Sequence, residues 1–447
     1  MLTPRSIERA GPTGEDVRAY PPSYYAATAP MAFAGTALDQ DVQADACIIG
    51  GGYTGLGAAL RLAEAGRSVV LLDSGPVGWG ASGRNGGQVH LGWNKDQHWL
   101  ARHLGSDGAR EMWAMARHAR DHLDRLIAHD PDRCDFRAGL IHADHKPGLV
   151  AQTHAEVRFL QEAYGHHALT PLGRDDIRAM VDSQVYHGGS LDMAGGHLHP
   201  LKLALAMARA ARAAGAVIHP YSRCTGIAPD GPAGTRPAWR VTTPGGTVRA
   251  GQVLVATGGY GTGLVPAVDA HVLPINNFIA TTAPLGPERA AALIAGGQAV
   301  SDSRFVVYYF RITPDHRLLF GGGERYSWRL PADIAAFVRP HMLRVFPQLA
   351  DVAIDHAWGG TLSITPHRLP HAAQVMPGLW SLSGFSGLGV VLAPWLGGEI
   401  GATMAGLPAP ALDLVRRLPT PRFPGGTLLR WPTMAAAMTF FALRDRL

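Results

Sequence analysis

The segment from Cys47 to Gln88, CIIGGGYTGLGAALRLAEAGRSVVLLDSGPVGWGASGRNGGQ, constrains this chain more than any other. A short apolar run, Ala46 to Ile49, meets the glycines Gly50, Gly51, Gly52 and Gly55. An amphipathic stretch then runs to Ala65, a second apolar run spans Val69 to Leu72, and the acid Asp73 follows. That order predicts strand, tight turn, helix, strand and carboxylate, the layout of a dinucleotide-binding βαβ unit. Gly50 turns the chain out of the strand. Gly52 lets a pyrophosphate approach the backbone, and Gly55 lets helix and strand pack closely. The helix start at Tyr53 and Thr54 offers unpaired N–H groups to phosphate. Asp73, with Ser74 beside it, falls where a carboxylate accepts from a ribose hydroxyl.

The unit continues into GWGASGRNGGQ, Gly78 to Gln88, a loop suited to backbone approach to a large flat ligand. A second glycine cluster, GFSGLG at Gly384 to Gly389, precedes a helix-like run near the other end of the chain. Two glycine-rich contacts so far apart suit a long ligand threaded through the domain, which favours FAD over NAD.

At 447 residues the chain can hold two or three domain-sized units, and 47% hydrophobic residues describe a globular protein. The net charge of +5 comes almost wholly from arginine, the only lysines being Lys95, Lys146 and Lys202. With no basic run, the charge argues against nucleic-acid binding. Cys47, Cys134 and Cys224 show no metal-ligand spacing and suggest a reducing, cytoplasmic setting. There is no secretory-signal pattern and no transmembrane-length apolar run. The apolar tail from Leu428 to Leu443, interrupted by Arg430 and Pro432, is expected to dock as a helix rather than to touch a membrane.

Residues 1–43 read as an extended arm. Helices are expected from Asp96 to Asp130, where Met112, Met115, Ala119, Leu123 and Leu126 share a face, and from Pro200 to Ala214. Strands are expected at Ala216 to His219, Trp239 to Thr242 and Val253 to Ala256, the last leading into Thr257, Gly258 and Gly259. The aromatic strands Val306 to Ile312 and Arg317 to Phe320 suit an antiparallel sheet. The fold expected is α/β: a discontinuous FAD-binding Rossmann-like domain (residues 44–130, 190–265 and 356–447) with an inserted, mostly antiparallel β substrate domain (131–189 and 266–355).

The chain resembles the D-amino-acid oxidase superfamily of flavoproteins, and within it the γ-glutamylputrescine oxidoreductase group. The resemblance covers nearly the whole chain. It rests on SYYAA, GGGYTGL, GWGASGRNGGQ, GGHLHPLKLA, YYFRITPDHRLLFGGG, the surroundings of Trp358 and Arg368, and FPGGTLLRWP with ALRDRL. It implies oxidation of the C–N bond of an amine by hydride transfer to flavin N5, giving an imine that hydrolyses to an aldehyde, with oxygen or another acceptor taking the electrons. By position, Gly50, Gly52, Gly55 and Asp73 hold the ADP half. Ser82, Arg84, Asn85, Gly86, Gly87 and Gln88 line the way to the ring, Cys224 lies by the adenine, and Gly387, Leu388, Gly389 and Val390 face the pyrimidine end.

Three departures stand out. Leu388 replaces a histidine that many relatives have. Gly360 stands where sarcosine-oxidase-like relatives attach flavin through cysteine, and the attachment histidine of other relatives is also absent, so FAD is expected to be noncovalent. No lysine follows Lys202, so the oxygen-reacting lysine of those oxidases is missing, which leaves oxidase and dehydrogenase chemistry both open.

Tyr308, Tyr309, Phe310 and Trp358 are candidate pocket walls for an amine, although alternate residues of that strand are expected to be core. No arginine follows Trp358 to clamp an α-carboxylate. Arg311 or Arg368 could hold a remote one, or serve as a structural partner. His90 is a candidate substrate contact. His197 and His199 form an H-x-H pair without a third ligand, so no metal is expected. The competing readings are a D-amino-acid or N-methyl-amino-acid dehydrogenase or oxidase, and a non-catalytic flavin-binding protein. The sequence does not give the oligomeric state.

Overall fold

A computed structural model describes residues 15–30, 33–231, 238–325 and 330–427. The tail from Leu428 onward and, in the N-terminal arm, residues 1–14 and 31–32 lie outside the described residues. Within the arm, Tyr24–Thr28 is a short helix capped by the Ser23 hydroxyl, which accepts from the Ala26 N–H.

Two sheets organise the described chain. The core of the first is parallel: Leu379–Ser383, Thr247–Val255, Val42–Ile49, Val69–Leu72 and Val217–His219 lie side by side. The Val42–Ile49 strand is buried from Ala46 onward, its wholly apolar part, as the central strand of a covered sheet must be. His371–Met376 adds antiparallel at one edge. Trp239–Thr242 pairs antiparallel with Thr247–Val255 and with Gly226–Pro229. The expected strands at 216–219, 239–242 and 253–256 are all present, the last extended back to Thr247.

Helices Tyr53–Glu64 and Gly389–Ala405 cover this sheet and pack tightly on each other. Glycine permits the approach: a Cβ on Gly57 would overlap the Pro394 carbonyl, and one on Gly397 the Thr54 carbonyl. The expected 96–130 helix spans Gln97–Ile127, capped by Asp96 and kinked at Gly105, whose φ of 75° no ordinary helical residue adopts. Its face of Met112, Met115, Ala119, Leu123 and Leu126 is buried as the spacing requires. No single helix among the described residues is long and apolar enough to cross a membrane.

The second sheet is mixed and built around Ile354–Ile364, Leu273–Thr282, Leu318–Arg325, Tyr309–Ile312, Ala299–Asp302, Arg137–Ala143 and Gly189–His197. It draws in Gly189–His197 and Ile354–Ile364, which lie in stretches the sequence assigned largely to the FAD domain. Backbone pairing, which local pattern does not encode, puts them there.

The second sheet has two unlike faces, and its register states them residue by residue. One row reads Leu191, Ile141, Val300, Phe310, Phe320, Ala280 and Ala357. Most of these belong to an apolar core shared with the Ile334–Val345 helix. The next row reads Ser190, His142, Ser301, Tyr309, Gly321, Ile279 and Trp358. From Tyr309 to Trp358 it faces the first domain's glycine loop and the Tyr24–Tyr25 cluster.

Candidate active site

The cradle forms where parallel strands end. Gly50 leaves its strand at φ 115°, and a Cβ there would sit 2.6 Å from the Ala256 carbonyl oxygen. That is the elbow a bound pyrophosphate needs. Gly55 has no room at all, since a Cβ would overlap the Gly50 oxygen. The helix begins at Tyr53, and the Tyr53 N–H donates to the Ser82 hydroxyl at 2.9 Å, bringing the second glycine loop against the first. Asp73 spans the elbow: one carboxylate oxygen accepts from the Gly51 N–H (2.5 Å), the other from the Gly75 N–H (2.8 Å). Desolvation raises its pKa to about 6, against the lowering effect of those bonds and of one from Ser74. Each oxygen keeps a second lone pair for a ribose hydroxyl. Thr257 and Gly258 follow the neighbouring strand and line a cavity with Val255, Val268, Ser381 and Ser383.

These residues fit the ADP half of FAD, and the second glycine cluster fits the far end. Gly387 has φ 101° and Leu388 is the N-cap of Gly389–Ala405, with no side chain closing that helix start. The N–H groups of the first turn, Val390 among them, are thus available to negative charge on a flavin ring. Leu388 is half-buried against the apolar core. Asn94, missed in the sequence, pins this loop by donating to the Phe385 (3.0 Å) and Arg368 (3.2 Å) carbonyls. Cys224 packs beside the cluster of Cys47, Ile49, Val70 and Leu72. Burial pushes its thiol up to about 11.

The GRNGGQ loop is held mainly by its own side chains. Arg84 is buried, donating to the Trp79 carbonyl (2.6 Å), the Gly359 carbonyl (3.1 Å) and Glu15. Asn85 donates to Ala81 and Ser82 and accepts from the Gly87 N–H. Gln88 donates to the Val300 carbonyl, which ties the loop to the second sheet. These side chains therefore shape the loop, and its backbone, at Gly86 and Gly87, is the surface it offers.

The four aromatic candidates separate by strand alternation. Tyr308 and Phe310 point into the helix-covered core, which corrects their place as pocket walls. Phe310 stacks on Phe320, and the Tyr308 hydroxyl meets His341 Nδ1 (2.8 Å) and Arg344 (2.9 Å). Tyr309 and Trp358 point the other way. The Tyr309 ring lies against Gly86, whose Cβ would be 2.6 Å from it, and its hydroxyl donates to Asn277 Oδ1. Trp358 is buried against Tyr25, its indole N–H donating to the Arg84 carbonyl at 2.9 Å, so it buttresses the loop from behind. Asn277 was not foreseen; its signal is the polar pair in PINNFIA, inside an otherwise apolar strand.

Neither arginine is an evident clamp. Arg311 is buried and donates to the Gly86 carbonyl (3.1 Å), the Leu198 carbonyl (3.2 Å) and the Tyr25 hydroxyl (3.3 Å). Arg368 stacks over Phe305 at 5.1 Å. His90 meets Gln88 Oε1 at 3.2 Å, and desolvation, then His142, lowers its pKa to about 4, so it is neutral at pH 7. His197 and His199 hold the scaffold. His199 Nδ1 caps the Pro200–Ala213 helix, its Nε2 meets Thr28, and His197 meets the Gly297 carbonyl. Among the described residues no His/Cys/Asp/Glu group is placed to hold a metal. Lys202 pairs with Asp132 and Asp135.

Comparison with known proteins agrees with this geometry. Residues 45–403 match the DAO family model, FAD dependent oxidoreductase. The chain is 38% identical over 95% of its length to a probable oxidoreductase, OrdL, of Rhizobium meliloti, covering 97% of that protein. It is 36% identical over 95% of its length to γ-glutamylputrescine oxidoreductase of Escherichia coli, covering 98% of it. Among solved structures, glycine oxidase from Geobacillus kaustophilus superposes with a TM-score of 0.68 at 20% identity, covering 82% of this chain and 95% of that one.

Proposed function

The chain belongs to the DAO family of FAD-dependent oxidoreductases, and we propose that its substrate is an amine of the γ-glutamylputrescine kind rather than a simple α-amino acid. The observation that carries this reading is the disposition of charge on the substrate side. Arg311, the arginine nearest Tyr309 in the strand, is occupied by two main-chain carbonyls and a phenol, and glycines follow Trp358. What remains around Tyr309 is an aromatic face, the Asn277 amide and the Gly86 backbone, which suits an amine on an alkyl chain.

FAD supplies the hydride acceptor for the carbon beside the amine nitrogen, and the imine left behind hydrolyses to an aldehyde. The chain's part is to place and enclose. Tyr309, fixed by its bond to Asn277, forms one wall. The N-terminal turn of Gly389–Ala405 stabilises negative charge on the reduced ring. Leu388 keeps its part of the wall apolar, which lowers the local dielectric and favours a neutral amine. Gly360, against the Arg84 side chain, offers no nucleophile for covalent attachment, so FAD is held noncovalently in this reading. Cysteine usage favours a cytoplasmic setting.

The test is an anaerobic titration of the holoenzyme with γ-glutamylputrescine, putrescine, sarcosine and D-alanine, followed by readmission of air. The expected result is bleaching of the oxidised-flavin band by γ-glutamylputrescine at the lowest concentration. Preferential bleaching by D-alanine or sarcosine would favour the amino-acid reading, and a yellow protein that nothing bleaches a non-catalytic flavin-binding role. The speed of recovery in air separates oxidase from dehydrogenase.

A further inference from the structure

The polar row of the second sheet continues past Tyr309 to a pair of groups that the chemistry above leaves unused. Ser301 stands between Tyr309 and His142 in register. The His142 side chain is 46% exposed, and its Nε2 lies 3.4 Å from Asp144 Oδ1. The Asp144 side chain is 1% exposed, and neither carboxylate oxygen accepts a hydrogen bond. The Asp144 backbone is fully used, its N–H donating to Gly188 and its carbonyl accepting from His187, so the side chain is held in place.

An ionised carboxylate removed from water without donors costs several kcal/mol unless a cation is brought to it. Among the described residues, His142 is the one basic group within ion-pair reach. His90 faces His142 from the neighbouring loop, and Asp192, paired with His166 at 3.1 Å, stands on the adjoining strand. Arg304, further along, is committed to Asp302. The surroundings thus hold two carboxylates and imidazoles. The Nε2-protonated tautomer of His142 would put its N–H on the Asp144 side, 3.4 Å from Oδ1, and leave the Nδ1 lone pair to accept from an ammonium group.

We propose that His142, backed by Asp144, receives the ammonium group at the far end of an elongated amine substrate. Strand spacing puts His142 about 10 Å from Tyr309, two strands away at about 4.8 Å each. A substrate with its reacting carbon by Tyr309 would therefore carry its second cationic group several bonds away, as the α-ammonium of a γ-glutamyl amide does. The inference rests on the amine reading above. His142 contacts the substrate, and Asp144 acts as a positioning residue behind it.

The test separates recognition from turnover. Two ligands without a terminal amine are titrated into the holoenzyme and followed by perturbation of the flavin spectrum: γ-glutamyl-n-butylamide, which has the remote ammonium, and glutaryl-n-butylamide, which lacks it. The wild-type protein should bind the first roughly 10- to 100-fold more tightly, the range of a charged hydrogen bond. Asp144→Asn and His142→Ala should each erase that preference while leaving the second ligand within about 2-fold. Equal binding of both ligands by the wild-type protein would overturn the proposal without any variant. Equal weakening of both ligands by Asp144→Asn would overturn it too, leaving His142–Asp144 as an internal ion pair. Flavin reduction by γ-glutamylputrescine is scored separately. If the preference holds and that amine bleaches nothing, the recognition stands and the substrate reading fails. If bleaching occurs with equal KM in wild type and Asp144→Asn, the reverse is true.

Discussion

The glycine elbow at Gly50–Gly55 and the Tyr309 row of the second sheet are specified in opposite ways. The elbow works through missing side chains, since a Cβ at Gly50 or Gly55 would meet backbone oxygen. The row works through side chains whose direction depends on which strands pair and in what register. The first kind of site tolerates almost no substitution. In the second, on the function proposed here, substitutions should change what is bound.

The largest effect that would test this contrast is Gly55→Val. Its side chain would meet the Gly50 carbonyl and Ile48 with no flexible neighbour to yield, so a loss of more than about 3 kcal/mol of stability is expected, with no flavin retained. Thermal unfolding and flavin content check it, and a stable yellow variant would break the account of the cradle. Arg311→Met is next. It strips the Gly86 and Leu198 carbonyls of a buried charged donor and should cost about 2–4 kcal/mol by denaturant unfolding. The order of preference among carboxylated and uncarboxylated amines should stay unchanged; a selective loss of the carboxylated ones would make Arg311 a clamp.

Asp73→Asn should weaken FAD binding roughly 10- to 100-fold, measured by fluorescence titration of the apoprotein, with little change in turnover at saturating FAD. Acidity should reproduce part of this. The Asp73 pKa is raised to about 6 by desolvation, above the ordinary carboxylate value near 3.9. Protonated Asp73 thus contributes stability that is full below about 4 and is lost as pH rises through about 6. Ribose hydroxyls donate to the ionised form, so FAD affinity should move the other way, falling by up to about 10-fold per unit as pH drops below about 6. A flat FAD affinity between pH 5 and 7 would remove Asp73 from the ribose.

The same contrast explains what could be read from the sequence. The βαβ unit was legible because strand, elbow, helix and acid are contiguous, and glycine spacing is itself the mechanism. The second sheet was legible as a sheet but not as a pair of faces. In Tyr308, Tyr309 and Phe310 three aromatic residues follow one another, so alternation carries no sign. Only pairing with Ser301 and Gly321 turns Tyr309 toward Gly86. Arg311 read as a possible ligand group because its partners, Gly86 and Leu198, lie 225 and 113 residues away in the chain. His142 and Asp144 escaped notice for a similar reason. An H-x-D spacing in a strand means nothing until the strand has neighbours.

The most direct test compares two adjacent tyrosines. Anaerobic stopped-flow reduction of the flavin would be measured for Tyr308→Phe and Tyr309→Phe with the best amine from the panel. Tyr309→Phe frees Asn277 and alters the wall, so its limiting reduction rate or substrate KM should shift about 10-fold or more. Tyr308→Phe loses bonds to His341 and Arg344 on the far face; it should cost about 1 kcal/mol of stability and leave both kinetic constants within about 2-fold. A Tyr308→Phe enzyme with impaired flavin reduction beside an unaffected Tyr309→Phe enzyme would contradict the assignment of the substrate face.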